Sequence, residues 1–137
     1  MIYLGLDVGL RTVGVAISHS GVIASALTTI RYQPHQLDVT VDKIANLANS
    51  NQVTTIIIGL PKHMNNDIGV LANYALKFGE MLKNKVDLEI IYYDERLSTK
   101  SALQALSDSN IKREKQKALK DEVAAQIILQ NYLNGLK

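Results

Sequence analysis

The amino-acid sequence predicts an α/β protein with a five-stranded mixed sheet, in which an antiparallel three-strand meander is followed by two parallel strands and helices flank the sheet. Two patterns along the chain predict this class. Up to Tyr32, short β-branched segments alternate with polar turns, which is typical of hairpins. From Leu37 onward, segments with helical spacing alternate with strand-like ones. That alternation is typical of crossovers between parallel strands, with helices on both faces of the sheet.

The meander occupies the first part of the chain. Ile2–Asp7 is predicted as the first strand, Val13–Ser18 as the second and Val22–Tyr32 as the third, because each is rich in β-branched or aromatic residues. Polar residues at 10–12 and 19–21 supply the turns between them. Pro34 ends the third strand, since proline cannot donate a hydrogen bond to a strand ladder.

Two helix–strand units follow. Apolar residues recur at helical spacing from Leu37 to Ala48, and the Asn-Ser-Asn sequence at 49–51 closes that helix. Val53–Leu60 is continuously apolar and β-branched, the pattern of a strand buried on both faces. After a polar loop at 62–67 comes a second helix with one apolar side, and then a fifth strand, Leu88–Tyr93.

The C-terminal part is predicted to be mostly helical. A helix capped by a serine or threonine is expected over 101–106, a polar mobile loop over 107–117, and a last helix from about Lys120 to Leu133. No internal repeat or linker is visible, so residues 1–137 are predicted to form a single domain.

The composition excludes several classes of protein. With 47% hydrophobic and 20% charged residues, the chain is predicted to be compact rather than disordered. It has no cysteine, and neither a signal peptide nor an apolar run of membrane-spanning length is visible. A cytoplasmic protein without a membrane partner is therefore expected. The net charge of +2 is too small to indicate a nucleic-acid partner by itself.

Positive charge is nevertheless concentrated late in the chain. Five basic residues fall within nine positions, namely Lys112, Arg113, Lys115, Lys117 and Lys120. Taken alone, such a run is more often a solvated loop and helix start than a binding site. Its interpretation depends on what lies beside it.

Asp7 interrupts the apolar first strand, and Gly5 and Gly9 lie on either side of it. A buried carboxylate costs several kcal/mol unless it is paired, and a metal ion is a common partner. The flanking glycines would let a phosphate or another backbone approach closely. A strand-end aspartate that caps the next turn explains this stretch equally well, so both interpretations stand here.

Asp121 heads the apolar stripe of the last helix, with Ala124, Ala125, Ile128 and Tyr132 at helical spacing behind it. An acid on an inward-facing stripe is out of place unless it faces a polar site. The first strand also ends near Asp7, and the fifth ends at Asp94-Glu95, so these carboxylates are expected at one edge of the sheet. Carboxylates that converge there suit Mg²⁺ or Mn²⁺.

Such an acidic site beside a basic run indicates a nuclease. Two divalent ions about 4 Å apart activate water and stabilise the leaving oxygen in phosphodiester cleavage. The basic run just before Asp121, with Arg11, would then position the phosphates of the nucleic acid.

At this point the chain resembles the YqgF family, whose members are described as Holliday junction resolvases or pre-16S rRNA nucleases. The resemblance extends over nearly the whole chain. It is carried by Gly5-Leu6-Asp7-Val8-Gly9 with Arg11 and Gly14-Val15-Ala16, by Gly59-Leu60-Pro61 with Met64-Asn65, by Asp94-Glu95-Arg96-Leu97-Ser98-Thr99, and by Asp121 with Ala124-Ala125 and Ile128-Leu129-Gln130.

The resemblance implies an RNase H-like fold with Asp7, Glu95 and Asp121 as catalytic, metal-binding acids. It also implies a bacterial cytoplasmic nuclease that matures the 5′ end of 16S rRNA, with a pre-ribosomal particle as a partner. Strand alternation allows only one of Asp94 and Glu95 to face the site, and the family favours Glu95. The chain departs from the family at His19, which replaces a common acid, and at Asn66 and Asp67 in the loop after the fourth strand.

Other functions remain open from the sequence. The same nuclease could resolve four-way DNA junctions, as a monomer or a homodimer. An Asp-x-Gly strand end also opens the sugar kinase and actin fold, but that fold needs two lobes and this chain is long enough for one. A scaffold that binds nucleic acid without cutting it would have no need of three mutually repelling acids.

Overall fold

The structure is a computed structural model that describes residues 1–61, 66–95 and 113–136. Five strands form one sheet in the order β3-β2-β1-β4-β5. The strands are β1 (Tyr3–Val8), β2 (Thr12–Ser18), β3 (Ser25–Arg31), β4 (Thr55–Pro61) and β5 (Glu89–Glu95). The helices are α1 (Leu37–Ser50), preceded by a 3-10 turn (Pro34–Gln36), then α2 (Asn66–Lys83) and α3 (Arg113–Asn134).

The pairing of the strands confirms the predicted mixed sheet. β1 pairs antiparallel with β2, and β2 antiparallel with β3. β1 is parallel to β4, and β4 to β5. Helices lie on both faces, α1 and α2 on one and α3 on the other, because alternate residues of each strand point to opposite sides.

The face covered by α1 and α2 is built from large branched side chains. Leu4, Leu6 and Val8 alternate along β1 and are buried there. Ile56 and Ile58 of β4 join the same cluster. The helices contribute buried residues at helical spacing, namely Leu37, Val41, Ile44, Ala45 and Ala48 from α1 and Ala75, Phe78 and Leu82 from α2. This is the larger of the two cores.

The opposite face is covered by α3, and there β1 and β2 carry small residues. A Cβ on Gly5 would lie 2.7 Å from the Cβ of Leu129 and 3.2 Å from the carbonyl oxygen of Ala125. Glycine therefore lets the helix backbone settle closely onto β1. The core on this side is small and includes Ala16, Ala24, Ile57, Ala125, Ile128, Leu129 and Leu133.

The largest differences from the predicted elements are in the third strand and the last helix, and α2 begins at Asn66, within the loop predicted over 62–67. The third strand begins at Ser25 rather than Val22, because the backbone before it bonds to α3 instead of to a strand. The Nε2 of Gln130 donates to the carbonyl oxygen of Val22 at 2.8 Å, and its Oε1 accepts from the Ala24 amide at 2.9 Å. The Nε2 of Gln126 adds a bond to the Ala24 carbonyl oxygen at 3.1 Å.

The last helix is longer than predicted. It begins at Arg113, so the expected loop over 107–117 is wrong for residues 113–117. Arginine, glutamate, lysine, glutamine, alanine and leucine are all good helix formers, and a charged composition does not by itself indicate a loop. The predicted helix over 101–106 and the rest of that loop lie outside the described residues. Among the described helices, none combines the length and apolar character that a membrane crossing would need.

Candidate functional site

Several strand ends meet at one edge of the sheet, which we call the upper edge. It is defined by Val8, Pro61 and Glu95, the last residues of the three mutually parallel strands. β2 begins and β3 ends at this same edge, because both of their pairings are antiparallel. The sequence-predicted acids and Arg11 all belong to segments that reach the upper edge.

Asp7 and Asp121 are brought together through Gly14. The Cα partner of Asp7 on the neighbouring strand is Gly14. A Cβ on Gly14 would lie 1.9 Å from the carbonyl oxygen of Asp121 and 3.2 Å from its Cα. The α3 backbone at Asp121 therefore rests directly on the strand residue next to Asp7, in a place where no side chain fits. Both aspartates are half-buried.

Asp7 also lies on the face of the sheet that α3 covers. It belongs to the same alternating series as Tyr3, whose ring centroid is 6.2 Å from that of Tyr132 on α3, and as Gly5. The intervening residues Leu4 and Leu6 belong to the opposite core. Asp7 and Asp121 thus share one side of the sheet at its upper edge, as the sequence predicted.

The register of β5 separates Asp94 from Glu95. Ile91 and Tyr93 pack against the α3 core, whereas Ile90 and Tyr92 pack against the α1–α2 core. Alternation gives position 95 to the series of Ile91 and Tyr93, and position 94 to the other series. Asp94 is exposed. The strand position of Glu95 therefore belongs to the same face as Asp7 and Asp121.

The acids supply oxygen donors at this place in the fold. Considering only the side chains that the structure describes, no three carboxylate, imidazole or thiol groups come close enough to hold a metal ion. Asp7 and Asp121 are two members of the predicted set, and for Glu95 the structure describes the backbone position. Carboxylate oxygens are the ligands that hard divalent cations prefer.

The turn after β1 is held by Tyr32. The Gly9 amide donates to the Thr12 carbonyl oxygen at 2.8 Å, and the Tyr32 amide donates to the Arg11 carbonyl oxygen at 2.8 Å. The Tyr32 hydroxyl donates to the Gly9 carbonyl oxygen at 2.5 Å. Burial, and secondarily the Tyr74 phenol, raise the pKa of Tyr32 to about 12, so this hydroxyl keeps its proton at neutral pH.

Arg11, predicted to bind phosphate, lies exposed on this turn and lines an open cleft. The cleft also contains residues that the sequence reasoning missed, Arg31, Gln33 and Gln36. Arg31 is opposite Thr12 in the β2–β3 pairing. A hairpin register could have indicated this neighbour, but the irregularity between Val15 and Ala16 shifts the register along these strands.

Part of the basic run lies in a helix, whereas a loop was predicted over 107–117. Arg113, Lys115 and Lys117 occupy the first turns of α3, ahead of the point where Asp121 rests on β2. The structure places their backbone on the helix that enters the site, and Lys112 lies outside the described residues.

Comparison with solved structures identifies the fold. RuvC of T. thermophilus in complex with a Holliday junction substrate superposes with a TM-score of 0.66 at 12% identity, covering 99% of this chain and 95% of that one. A second Thermus thermophilus RuvC structure gives a TM-score of 0.61 at 12% identity, with 99% and 96% covered. The fold is therefore RNase H-like, the class to which these structures belong.

Sequence comparison gives the family. A family model described as "RuvX: Holliday junction resolvase" matches residues 1–135. This chain therefore belongs to the RuvX (YqgF) family, as the resemblance indicated. A relative from Onion yellows phytoplasma is 45% identical over 135 residues, covering 98% of this chain and 89% of the relative. One from Staphylococcus epidermidis is 42% identical over 136 residues, covering 98% and 96%. Both carry the name "Putative pre-16S rRNA nuclease".

Proposed function

We propose that this protein is a metal-dependent endonuclease that cleaves phosphodiester bonds in structured nucleic acid, with the 5′ end of pre-16S rRNA as its substrate. Asp7, Glu95 and Asp121 are the proposed catalytic acids and metal ligands. Arg11 and the basic run of Lys112, Arg113, Lys115 and Lys117 are proposed to bind the phosphate backbone.

The observation that carries the proposal is the contact between Asp121 and Gly14. It joins Asp121 of α3 to the strand neighbour of Asp7, so two acids far apart in sequence lie on one face at the upper edge. Strand alternation gives Glu95 a position on this face and Asp94 a position on the other. This supports Glu95 as the third acid.

The donor chemistry fits a hard divalent cation. Carboxylate oxygens are the ligands that Mg²⁺ and Mn²⁺ prefer, and Asp7, Glu95 and Asp121 would hold one or two such ions. Bound there, the ions would supply Lewis-acid chemistry for phosphodiester hydrolysis. The chain itself fixes the positions of the acids through its backbone and offers arginine and lysine side chains to orient the phosphates.

The substrate class rests on the relatives. Those at 45% and 42% identity are named for pre-16S rRNA, which favours RNA and a pre-ribosomal particle as partner. We also infer that residues 1–137 act as a single domain, since α3 from the C-terminal part packs on β1 and β2 from the N-terminal part. We further infer that the protein acts in the cytoplasm.

A four-way DNA junction is the second candidate substrate. The family description favours it, and the RuvC structure that shares this fold was determined with a Holliday junction. Resolution of a junction needs two cuts, so this alternative goes with a homodimer, whereas trimming of one RNA end is open to a monomer.

Cleavage of both substrates by the wild-type protein and by Asp7→Asn tests the proposal. Each protein meets a 5′-extended 16S rRNA precursor and a four-way DNA junction in Mg²⁺, Mn²⁺ or EDTA. We expect cutting that EDTA abolishes and that Asp7→Asn lowers more than about 100-fold, because even changes outside the direct ligands of a metal often cost about 10–100-fold. The substrate that is cut decides between RNA and DNA.

Asp87→Asn is the matched control. Asp87 is exposed in the turn before β5, at the end of that strand opposite the upper edge, and the substitution removes the same charge. It should leave cleavage unchanged. Equal cutting by Asp7→Asn and Asp87→Asn would show that the acidic site is misassigned. Tight binding by the wild-type protein with no cutting in any metal would favour the scaffold function instead.

A further inference from the structure

The cleft beside the turn of Arg11 contains residues to which the proposed function gives no role, Arg31, Gln33 and Gln36. It has a volume of about 300 Å³ and opens to solvent. The residues that line it include Arg11, Thr12, Arg31, Tyr32, Gln33 and Gln36. Tyr32 packs in the α1–α2 core. The polar groups that the cleft offers to a ligand include the guanidinium groups of the two arginines and the amide groups of the two glutamines, beside apolar carbon atoms of the lining.

Two positive charges, those of Arg11 and Arg31, line this cleft, and the lining residues that the structure describes include no acid. Among the described side chains, neither arginine has a salt bridge of the kind that joins Lys83 to Glu80 or Lys85 to Asp42. Both arginines are exposed and free to turn toward a ligand. Like charges placed together favour an anion, and the guanidinium fork matches the oxygens of a phosphate.

The cleft lies within reach of the acidic site. Asp7 pairs with Gly14, Gly14 pairs with Thr29, and Arg31 follows two residues later at the upper edge. With about 4.8 Å between strands and about 3.4 Å of rise per residue, the Cα atoms of Asp7 and Arg31 are roughly 12 Å apart. A nucleic-acid strand held at the acids would pass the cleft within a few nucleotides.

The cleft and the fifth strand lie on opposite sides of Asp7. Arg31 belongs to β3 at one border of the sheet, and Glu95 belongs to β5 at the other, with Asp7 on the central strand. A substrate that spans this edge would therefore have its scissile region over the acids and a neighbouring phosphate over the arginines. The glutamine amides of the cleft can donate to the same phosphate or to a ribose oxygen.

We propose that Arg31, together with Arg11, forms a phosphate-binding cleft that anchors the nucleic acid beside the cleavage site, with Gln33 and Gln36 completing the anchor. The inference rests on the proposed function in taking nucleic acid as the ligand. The arginines position the substrate by contacts to its backbone, so they add affinity that depends on salt and does not depend on sequence.

The test is the salt dependence of binding by Arg31→Gln in EDTA, where no metal-dependent cutting takes place. Fluorescence anisotropy is measured on a labelled RNA that spans the 5′ leader and the start of 16S rRNA, and on a four-way DNA junction, at about 50–200 mM salt. Loss of one phosphate contact should weaken binding about five- to tenfold near 0.1 M salt and lower the slope of log K against log salt by about 0.7–0.9.

Lys77→Gln is the matched control, since Lys77 is exposed on α2 and is not among the residues that line the cleft, and the change likewise removes one positive charge. It should change neither the affinity nor the slope. Arg31→Lys keeps the charge and should retain the slope, with weaker binding because lysine lacks the guanidinium fork. Circular dichroism verifies that each variant is folded.

The outcomes separate this inference from the nuclease proposal. Equal affinity and equal slope for Arg31→Gln and Lys77→Gln would show that the cleft does not bind phosphate, and would leave the result of the cleavage experiment unchanged. Cutting by Asp7→Asn at the rate of Asp87→Asn would show that the acidic site is misassigned, and would leave the binding result unchanged. Displacement of the labelled nucleic acid by micromolar mononucleotide, with an unchanged slope in Arg31→Gln, would assign the cleft to a small ligand and overturn the anchor.

Discussion

The two faces of the sheet are packed in different ways. On the α1–α2 face, contact is made by large side chains, such as Leu6, Ile58 and Phe78, that interdigitate between strand and helix. On the α3 face, β1 and β2 present the small residues Gly5, Gly14 and Ala16, and the helix backbone itself comes down onto these two strands. At Gly14 the contact is between main chain and main chain.

The difference shows how this fold positions a functional carboxylate. Side chains that interdigitate can adjust their rotamers when a neighbour changes, so the distance between the layers on the α1–α2 face tolerates small errors. A backbone that rests on a glycine has no such freedom. The distance between Asp121 and β2, and through β2 to Asp7, is therefore set by direct packing of two main-chain segments.

Among the substitutions that test this difference between the faces, Gly14→Ala should have the largest effect on stability and cleavage. The added methyl group would overlap the Asp121 carbonyl oxygen at 1.9 Å, so α3 must move away from β2. We expect the free energy of unfolding to fall by about 3 kcal/mol, the upper part of the range for overpacked cores. Cleavage by the fraction that remains folded should also be lost, because Asp121 moves with the helix. Urea unfolding and a cleavage assay measure the two effects.

The control for that variant is Gly135→Ala. A Cβ at this exposed position would meet the Tyr132 carbonyl oxygen at 3.4 Å, which is an ordinary contact. Stability should change by less than about 0.5 kcal/mol, as for most surface substitutions. A wild-type cleavage rate in Gly14→Ala would contradict the idea that the main-chain contact sets the site.

Ile58→Val makes the opposite change on the other face, since it removes one methyl group from a fully buried side chain. The free energy of unfolding should fall by about 1 kcal/mol, as is usual for this substitution in cores. The cleavage rate per folded molecule should stay at the wild-type value, because the α1–α2 face does not set the spacing of the acids. A parallel loss of cleavage would show that the two faces are coupled.

Tyr32→Phe tests a residue that connects the α1–α2 core with the turn after β1. Its ring lies in the α1–α2 core and its hydroxyl bonds to Gly9 at the upper edge. At pH 8, loss of this hydrogen bond should lower the free energy of unfolding by about 1 kcal/mol.

The pH dependence of the same variant gives a sharper test. Because burial raises the pKa of Tyr32 to about 12, the native chain binds this proton more tightly than the unfolded chain, whose tyrosine titrates near 10.0. The contribution is complete below pH 10 and is lost as pH rises toward 12. The stability difference between the wild-type protein and Tyr32→Phe should therefore shrink over that interval in urea unfolding. A constant difference would show that the hydroxyl is not buried in the native state.

The sequence indicated most of the sheet because its strands differ clearly in periodicity from its helices. Asp7 stood out as a charge within an apolar strand, and Asp121 stood out at the head of an apolar stripe. The family resemblance added Glu95. The role of Gly14 could not be predicted, because it depends on a register that pairs it with Asp7 and on a helix that arrives from the far end of the chain.

Other parts of the structure depended on information that periodicity does not contain. The start of α3 was missed because the residues at 113–117 lack an apolar stripe, although they are good helix formers. Arg31 was missed because an isolated charge at a strand end carries no signal until its neighbours across the sheet are known. Contacts between distant segments set both the site and the cleft.

The bonds that hold the turn after β1 have a consequence for binding affinity. This turn carries Arg11 and follows Asp7, and backbone bonds at Gly9 and Arg11, together with the Tyr32 hydroxyl, restrain it. A loop that must be ordered on binding loses conformational entropy at that moment, which weakens the complex. This turn is already ordered in the folded protein, so a ligand that reaches the upper edge meets a preorganised backbone. On this turn, the side chain of Arg11 remains to be ordered when the ligand binds.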